Sequence, residues 1–463
     1  LVADPTSKEH YYVVSLASEN AESNITLREE SRVHYNTDQT IGEGASQRSW
    51  TDYPDKWGHD HASKRGRPNY GSNYRIVVKK MSIESNLDPI ELTDAEKVLA
   101  STSYSGKLIA MRHEWMQEFE PDLGEDVRPS GLLFAPSGDA NGMGDVLVMV
   151  GTTAGRGSAF GTMSAETRQN EATDNSDGDL DGFVMKMHTD TGNFAGHNTF
   201  DSTTNQFLNM HSLRIKSNPG QHDVVSSVCA TPLKSVGPQE EMTHIYVVGS
   251  TSAVLPGHDD ELRSAEFLAK YPDKIADDSG RADAMEAFLM KVQLSTMEIV
   301  WTVQVGAFVP DTSLRGNAFG YGCAVTPDGE EVYLSGLVKE KGVVTDFSAK
   351  DFSERDADHG FFNAEGGTDI FLSSYKTLDG SRRFLRQVGS TRDDYPSRGN
   401  GGITTDRFGN AILTGSTRGS LMRKRSDDEY KYGRSGKDAA SDVFVMSFGR
   451  ATALNHVPIA SGG

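Results

Sequence analysis

The carboxylates with the most suggestive spacing lie in "DGDLDG", from Asp177 to Gly182. Asp177, Asp179 and Asp181 alternate around a glycine turn, and converging carboxylate oxygens are the ligands that Ca²⁺ prefers. The twelfth position of this loop is His188 rather than the bidentate Glu of an EF-hand, so the loop is not an EF-hand. We expect either a Ca²⁺ site at Asp177, Asp179 and Asp181 or a solvated acidic loop in which Asp181 caps a turn.

A second group of potential metal ligands consists of His59 and His61, whose spacing would place both imidazoles on one face of a strand. No third ligand can be named beside them, and a polar insertion anchored by Trp57 is the better interpretation. The sequence contains no G-x-S-x-G, H-E-x-x-H or P-loop pattern. It therefore assigns no catalytic residue and no residue that binds an organic cofactor.

Charge and hydropathy narrow the classes of partner. The net charge of -20 argues against nucleic acid and anionic membrane surfaces, because both require a basic face. No apolar run approaches the roughly 20 residues of a membrane helix, so no membrane insertion is expected. The chain begins at Leu1 without a signal-like segment, and we expect that something upstream was removed or left out. Asn24 lies in an Asn-Ile-Thr sequon, a possible glycosylation site if the protein is secreted.

The chain has two cysteines, Cys229 and Cys323. Both lie in the first strand of a repeated unit, and alignment of the two hairpins places Cys229 opposite Ala324. An offset of one residue reverses the face of a strand. We therefore expect two separate buried thiols that pack as small hydrophobic side chains, and no disulfide.

Hydrophobic alternation shows two kinds of hairpin that follow each other along the chain. The first kind has an apolar strand, a Pro, Asp or Gly turn, and a second strand that ends in a small residue. The second kind begins at an acidic residue that is followed by a phenylalanine two positions later. The recurring small residues are Ser15, Gly151, Gly249, Gly336 and Gly415, and the recurring acids are Asp181, Glu286, Asp369 and Asp442.

Four antiparallel strands repeated in five units predict an all-β fold, namely a β-propeller that is five-bladed or part of a six- or seven-bladed ring. We treat residues 1–463 as a single propeller domain. Stacking of neighbouring sheets would bury the apolar faces that each sheet cannot bury alone. The units are approximately 1–120, 129–200, 222–306, 320–389 and 400–460.

The connections between the second and third strands of the units hold most of the extra chain length. In a propeller they share one rim with the connections between blades, whereas the short turns lie on the opposite face. Loops on a rigid scaffold often carry function. The polar segment 19–73 has too little apolar content to fold by itself, so if ordered it would lie against a neighbouring blade or another subunit.

The stretches "YVVGSTSAVLPG", "DGFVMKM", "EAFLMKV", "VWTVQVG" and "FGNAILTGST" resemble the repeat of secreted and surface proteins often called the seven-bladed β-propeller repeat. The resemblance covers almost the whole chain in five copies. The insertions are longer than is usual in this family, and the first copy lacks the acidic-aromatic start. The resemblance implies a propeller fold and an extracellular or cell-surface location, and it implies no particular chemistry.

We therefore expect a non-enzymatic extracellular scaffold that contacts other protein subunits, or glycans, through the long-loop rim of a cell-surface or filamentous assembly. Two alternatives stay open at this point. One is a lyase or hydrolase that acts on polysaccharide at the mouth of the propeller, which would need titratable side chains at the ends of several first strands. The other is a Ca²⁺-dependent lectin or adhesin.

Overall fold

The protein is all-β in the computed structural model, which contains no helix among the residues it describes. None of these residues forms a helix long and apolar enough to cross a membrane. The described residues are 2–3, 10–18, 74–85, 109–119, 127–136, 145–153, 180–195, 198–201, 206–209, 212–216, 222–231, 234–236, 239–252, 255–256, 284–309, 314–339, 342–346, 367–390, 392–397, 402–419, 421 and 442–450.

The first two sheets are four-stranded and antiparallel, and in each the strands pair in chain order. Sheet 1 contains β1 (Val2–Ala3), β2 (His10–Ser18), β3 (Tyr74–Ser85) and β4 (Ile109–Phe119). Sheet 2 contains β5 (Val127–Ala135), β6 (Val146–Thr153), β7 (Asp181–His188) and β10 (Ser212–Ile215). Between β7 and β10 lies a separate hairpin of β8 (Asn198–Asp201) and β9 (Gln206–Asn209).

Sheet 3 is larger because neighbouring segments add to its last strand. It contains β11 (Asp223–Ala230), β14 (His244–Thr251), β15 (Glu286–Gln293), β16 (Ile299–Val309) and β17 (Leu314–Gly316). A small hairpin of β12 (Lys234–Val236) and β13 (Gln239–Glu241) joins β11 to β14.

The remaining strands form sheets 4 and 5. Sheet 4 contains β18 (Ala318–Val325), β19 (Glu331–Lys339), β21 (Thr368–Lys376) and β22 (Arg382–Val388). The connection between β19 and β21 carries β20 (Val343–Asp346), which pairs with β16 of sheet 3 and so links the two sheets. Sheet 5 contains β23 (Asp394–Pro396), β24 (Ile403–Thr405), β25 (Ala411–Thr417) and β26 (Asp442–Phe448).

Apolar side chains fill the spaces between consecutive sheets. Separate clusters lie between sheets 1 and 2, 2 and 3, 3 and 4, and 4 and 5. Every residue of β6 and β18 is buried, because these strands are covered on both faces. The strand-rich Val, Leu, Met and Phe content thus reflects two-sided burial rather than one solvated face.

Sheet 5 differs from the other sheets because apolar side chains of its strand β26 are exposed. Val443 and Val445 of β26 are 83% and 69% exposed. The equivalent positions of β15, Ala287 and Leu289, are fully buried against sheet 4. Within the described residues, no substantial contact joins the strands of sheet 1 to those of sheet 5. In the part of the chain that the structure describes, the face of sheet 5 that carries Val443 and Val445 is therefore apolar and exposed. We call it the open face of sheet 5.

The recurring glycine has a steric cause. Gly249 of β14 lies opposite Phe288 of β15 and beside a β-bulge of β11. A Cβ atom on Gly249 would lie 2.6 Å from the Phe288 ring and would overlap the carbonyl oxygen of Val224. The same conflict recurs where Gly151, Gly336 and Gly415 face Phe183, Phe371 and Phe444. In sheet 1 the pair is Ser15 and Val77.

Replacing Gly249 by alanine is expected to lower the free energy of unfolding by about 2 to 3 kcal/mol, because the new methyl group displaces buried atoms on both sides. Urea denaturation would measure the change. Gly449→Ala is the matched control, since a Cβ on Gly449 would meet nothing within 4 Å. Equal stability of the two variants would contradict the steric explanation.

The predicted strands agree with most of the observed ones. One prediction was wrong. The fourth strand of the second unit was expected before residue 200, but the strand that pairs with β7 is β10, at Ser212–Ile215. A single bridge between Met187 and Phe194 follows the turn instead, and the hairpin of β8 and β9 intervenes. The predicted last strand of the fifth unit, within 451–460, lies outside the described residues.

The expectation of two separate thiols is also wrong, because Cys229 and Cys323 form a disulfide with a Cα–Cα distance of 5.8 Å. The registers place Cys229 level with Ala324, and Val228 level with Cys323, as aligned. Two stacked sheets, however, contact each other through opposite faces, the front of one sheet against the back of the next. Side chains that meet between two sheets therefore lie on opposite faces of their own strands. An offset of one residue therefore brings the two sulfur atoms together rather than apart.

Candidate functional site

The acidic residue that begins the third strand of a sheet is buried in sheets 2, 3 and 4. Asp181, Glu286 and Asp369 are at most 2% exposed. Each carboxylate accepts a hydrogen bond from a side chain of the fourth strand. The three pairs are Arg214 Nε to Asp181 Oδ2 at 2.7 Å, Gln304 Nε2 to Glu286 Oε2 at 3.0 Å, and Gln387 Nε2 to Asp369 Oδ2 at 3.3 Å. The repeated acid is thus a buried anchor between the third and fourth strands.

This geometry bears on the predicted Ca²⁺ site. Asp181 is the only one of its three ligands within the described residues, and its Oδ2 atom accepts both Nε and Nη2 of the buried Arg214. Asp177 and Asp179 lie outside the described residues, so the site stays a prediction. Asn24, His59 and His61 also lie outside them.

Gln304 and Gln387, which bind the buried acids, also bind backbone groups of the long connections after β14 and β19. Gln304 Oε1 accepts the Leu255 backbone N–H at 3.0 Å. Gln387 accepts the Val344 N–H at 2.9 Å and donates to the Gly342 carbonyl at 2.8 Å. Each glutamine therefore fixes both the buried acid and the start of the connection that follows the second strand. The sequence signal for this role is the spacing of Gln304 three residues after Trp301, which was noted only as part of the repeat.

Side chains of one sheet also bind the turn between the third and fourth strands of the next sheet. Lys186 Nζ donates to the carbonyls of Leu294 and Ser295, at 2.7 and 3.3 Å. Lys291 Nζ and Trp301 Nε1 both donate to the Thr377 carbonyl, at 2.7 and 3.3 Å. Trp115 Nε1 donates to the Thr189 carbonyl at 3.0 Å. These contacts link sheets 1 to 2, 2 to 3 and 3 to 4.

The link between sheets 4 and 5 uses a different chemistry. Ser374 replaces the lysine, and its hydroxyl donates to Glu331 Oε2 at 2.9 Å. Arg450 of sheet 5 donates to Glu331 Oε1 at 2.9 Å and to Glu330 at 3.2 Å, and it also pairs with Asp328. Burial opposes the charge of Asp328, but hydrogen bonds from Thr326, the Glu330 N–H and Arg450 outweigh it and lower its pKa. An ion-pair network thus takes the place of the lysine–carbonyl contact.

Burial lowers the pKa of Lys186 to about 8, from an ordinary value of 10.5. Between these two pH values the unfolded chain binds a proton that the folded chain does not, so stability should rise with pH. Relative to Lys186→Met, wild-type protein is expected to gain roughly 3 kcal/mol of unfolding free energy between pH 8 and pH 10.5. Urea denaturation at the two pH values measures the gain, and parallel pH profiles of the two proteins would contradict it.

The junction of sheets 4 and 5 also holds two buried carboxylates, Asp369 and Asp394, which are 1% and 0% exposed. The Gly389–Ser390 segment contacts both of them. A Cβ on Gly389 would overlap Asp369 Oδ1, and the Ser390 N–H donates to Asp394 Oδ2 at 2.5 Å. Burial raises the pKa of Asp369 to about 7, despite the Gln387 hydrogen bond, and the Asp394 and Asp393 charges add to the rise. Burial raises the pKa of Asp394 as well.

Sequence reasoning missed this junction. The acid at position 369 was recognised as part of the repeat, but Asp394 was not connected with it. The signal was the equivalent placement of Asp223 and Asp394, each paired in register with a threonine, Thr251 or Thr417.

The buried polar side chains described above hold strands together within a sheet and hold neighbouring sheets together. Comparisons with known proteins do not suggest a further role for them. Neither the models of known protein families nor the curated proteins contain a match to this chain.

Proposed function

We propose that the five sheets are blades of a β-propeller, either five-bladed or part of a six- or seven-bladed ring. Three observations support this arrangement: the strands of sheets 1 to 4 pair in the same order, the apolar clusters lie between consecutive sheets, and equivalent side chains bind the turns of the next sheet. Radial stacking of four-stranded sheets would account for all three.

We infer that this propeller is a non-enzymatic scaffold in an extracellular or cell-surface assembly. The observation that carries the inference is the use of buried polar groups. Arg214, Lys186, Lys291 and Gln304 each bind a carboxylate or carbonyl that holds strands or sheets together. The Cys229–Cys323 disulfide adds weak support for an oxidising compartment.

The partners of the scaffold would meet it at two places. One is the rim where the chain leaves β6, β14, β19 and β25, since the antiparallel order sends the long connections from the same end of each sheet. The other is the open face of sheet 5, at Val443 and Val445. For the case in which the five sheets do not close a ring by themselves, we assign this face to a second copy of the chain, because the same positions in other sheets are covered by a neighbouring sheet of the same repeat. Contacts of this head-to-tail kind build rings or filaments.

Light scattering of purified protein tests the assignment. Wild-type protein is expected to self-associate with rising concentration, and Val443→Asp/Val445→Asp is expected to stay monomeric with an unchanged Tm. Leu378→Asp is the matched control, because Leu378 is also apolar and 82% exposed but lies in the turn between β21 and β22 of sheet 4.

Two results would contradict the proposal. A lower Tm for Val443→Asp/Val445→Asp, without any change in mass, would show that its own chain covers this face. Turnover of a polysaccharide by the purified protein would favour an enzyme instead.

A further inference from the structure

The two buried carboxylates at the junction of sheets 4 and 5 each have one oxygen without a partner. Within the described residues, neither Asp369 Oδ1 nor Asp394 Oδ1 has a hydrogen-bond donor. Both side chains are almost fully buried, at 1% and 0% exposure. An ionised carboxylate in such a place is costly unless a positive charge accompanies it.

Another junction of the same chain shows how that charge is supplied. Asp181 is equivalent to Asp369, and Asp223 is equivalent to Asp394 by register. Between sheets 2 and 3 the guanidinium of Arg214 binds Asp181, with its Nε atom 2.7 Å from Oδ2. Gln387 pairs in register with Phe371 just as Arg214 pairs with Phe183, but its amide is neutral. Sheets 4 and 5 therefore have the same pair of acids without the arginine.

The junction of sheets 3 and 4 completes the comparison. There a neutral glutamine, Gln304, binds Glu286, but the position of the second acid is Ala318, which faces Val338. The junction of sheets 3 and 4 thus has one buried acid and a glutamine, whereas the junction of sheets 2 and 3 has two buried acids and an arginine. Only the junction of sheets 4 and 5, among these three, combines two acids with a glutamine.

We propose that a divalent cation, Ca²⁺, binds between Asp369 and Asp394 and supplies the charge that Arg214 supplies between sheets 2 and 3. Carboxylate oxygens are preferred Ca²⁺ ligands, and Ca²⁺ completes its shell with backbone carbonyls and water. Among the described residues no group of three or more His, Cys, Asp or Glu side chains is placed to hold a metal. The protein therefore contributes two carboxylates, and backbone oxygens and water supply the rest.

Asp393 makes the neighbourhood still more negative. A Cβ on Gly367 would lie 2.7 Å from Asp393 Oδ1, and Gly367 is two residues before Asp369. Asp393 forms an ion pair with the half-exposed Arg418 at 3.7 Å. This surface ion pair is too exposed to neutralise the buried carboxylates. The site thus has a net negative charge that attracts a cation from solvent.

The test compares four proteins after removal of metal with EDTA: wild type, Asp369→Asn/Asp394→Asn, Gln387→Arg, and Asp177→Asn/Asp179→Asn. Calorimetric titration with Ca²⁺ and the Tm are measured for each. Wild type is expected to bind Ca²⁺ at this site and to melt about 3 °C higher at a hundredfold excess over Kd. Gln387→Arg recreates the pairing of sheets 2 and 3, so its Tm should not respond to Ca²⁺. Its Tm is compared only with and without Ca²⁺, because arginine cannot accept the Val344 N–H as Gln387 does.

The acidic-loop variant separates this site from the one predicted at Asp177, Asp179 and Asp181. It is expected to keep the Ca²⁺-dependent rise in Tm, whereas Asp369→Asn/Asp394→Asn is expected to lose it. A rise that persists in Gln387→Arg and disappears in the acidic-loop variant would overturn the proposal. The absence of any Ca²⁺ response in wild type would overturn it too. That result would indicate that Asp369 and Asp394 are accommodated by protonation of their carboxyl groups.

Discussion

Replacing Cys229 and Cys323 together by alanine is expected to lower the free energy of unfolding by about 4 kcal/mol. The disulfide closes a loop of 94 residues, and the entropy that a cross-link removes from the unfolded chain increases with loop length. The bond also joins β11 of sheet 3 to β18 of sheet 4, so it resists separation of two sheets directly.

Urea denaturation of the variant, and of wild-type protein with and without dithiothreitol, would measure the effect. The oxidised and reduced wild-type proteins are the matched pair, because they share every other side chain. A loss of less than about 1 kcal/mol on reduction would contradict the account. Two free thiols in denatured, unreduced protein would show that the bond does not form.

Replacing Arg214 by methionine is expected to lower the free energy of unfolding by about 3 to 5 kcal/mol, because Asp181 then keeps a buried charge without its guanidinium partner. Arg214 is 9% exposed and Asp181 is 2% exposed. The double variant Asp181→Leu/Arg214→Met removes both charges, and it should recover most of the loss.

Denaturant midpoints of wild type, both single variants and the double variant form the thermodynamic cycle that measures this coupling. Additive losses in the cycle would show that the ion pair contributes no coupling energy. If Ca²⁺ restores the stability of Arg214→Met, Asp181 is a metal ligand as well as an anchor.

The strands were predictable because each sheet repeats one pattern of apolar alternation, with a glycine opposite a phenylalanine in sheets 2 to 5. Gly249 and Phe288 show why the pattern is strict: the ring occupies the space that a Cβ would need. The pattern does not reveal how far apart paired strands lie in the chain. The fourth strand of sheet 2 was misplaced because "TDTG" favours a tight turn, whereas the hairpin of β8 and β9 intervenes before β10.

The contacts between sheets were harder to infer than the strands. Alternation predicts which face a side chain occupies, but the partner across a gap depends on how two sheets stack. For Cys229 and Cys323 the register was correct and the conclusion was wrong, because facing positions of stacked sheets come from opposite faces. The pairing of β20 with β16 could not be predicted either, since a four-residue strand inside a connection carries no periodic signal.

The buried acids show the same limit for the candidate site. Asp181 was interpreted as a metal ligand or a turn cap, and both roles place it near solvent. The structure buries it beside Arg214, a residue 33 positions later in the chain. Only the comparison of equivalent positions in several sheets relates Asp181 to Asp369, and Arg214 to Gln387.

Cross-linking mass spectrometry of intact cells that express the protein most directly tests the central proposal, that this chain is a structural subunit of a surface assembly. The connection between β25 and β26 contains Lys424, Lys431 and Lys437. These lysines are expected to cross-link mainly to other subunits. Cross-links confined to the same chain, from a protein recovered as a monomer, would contradict it.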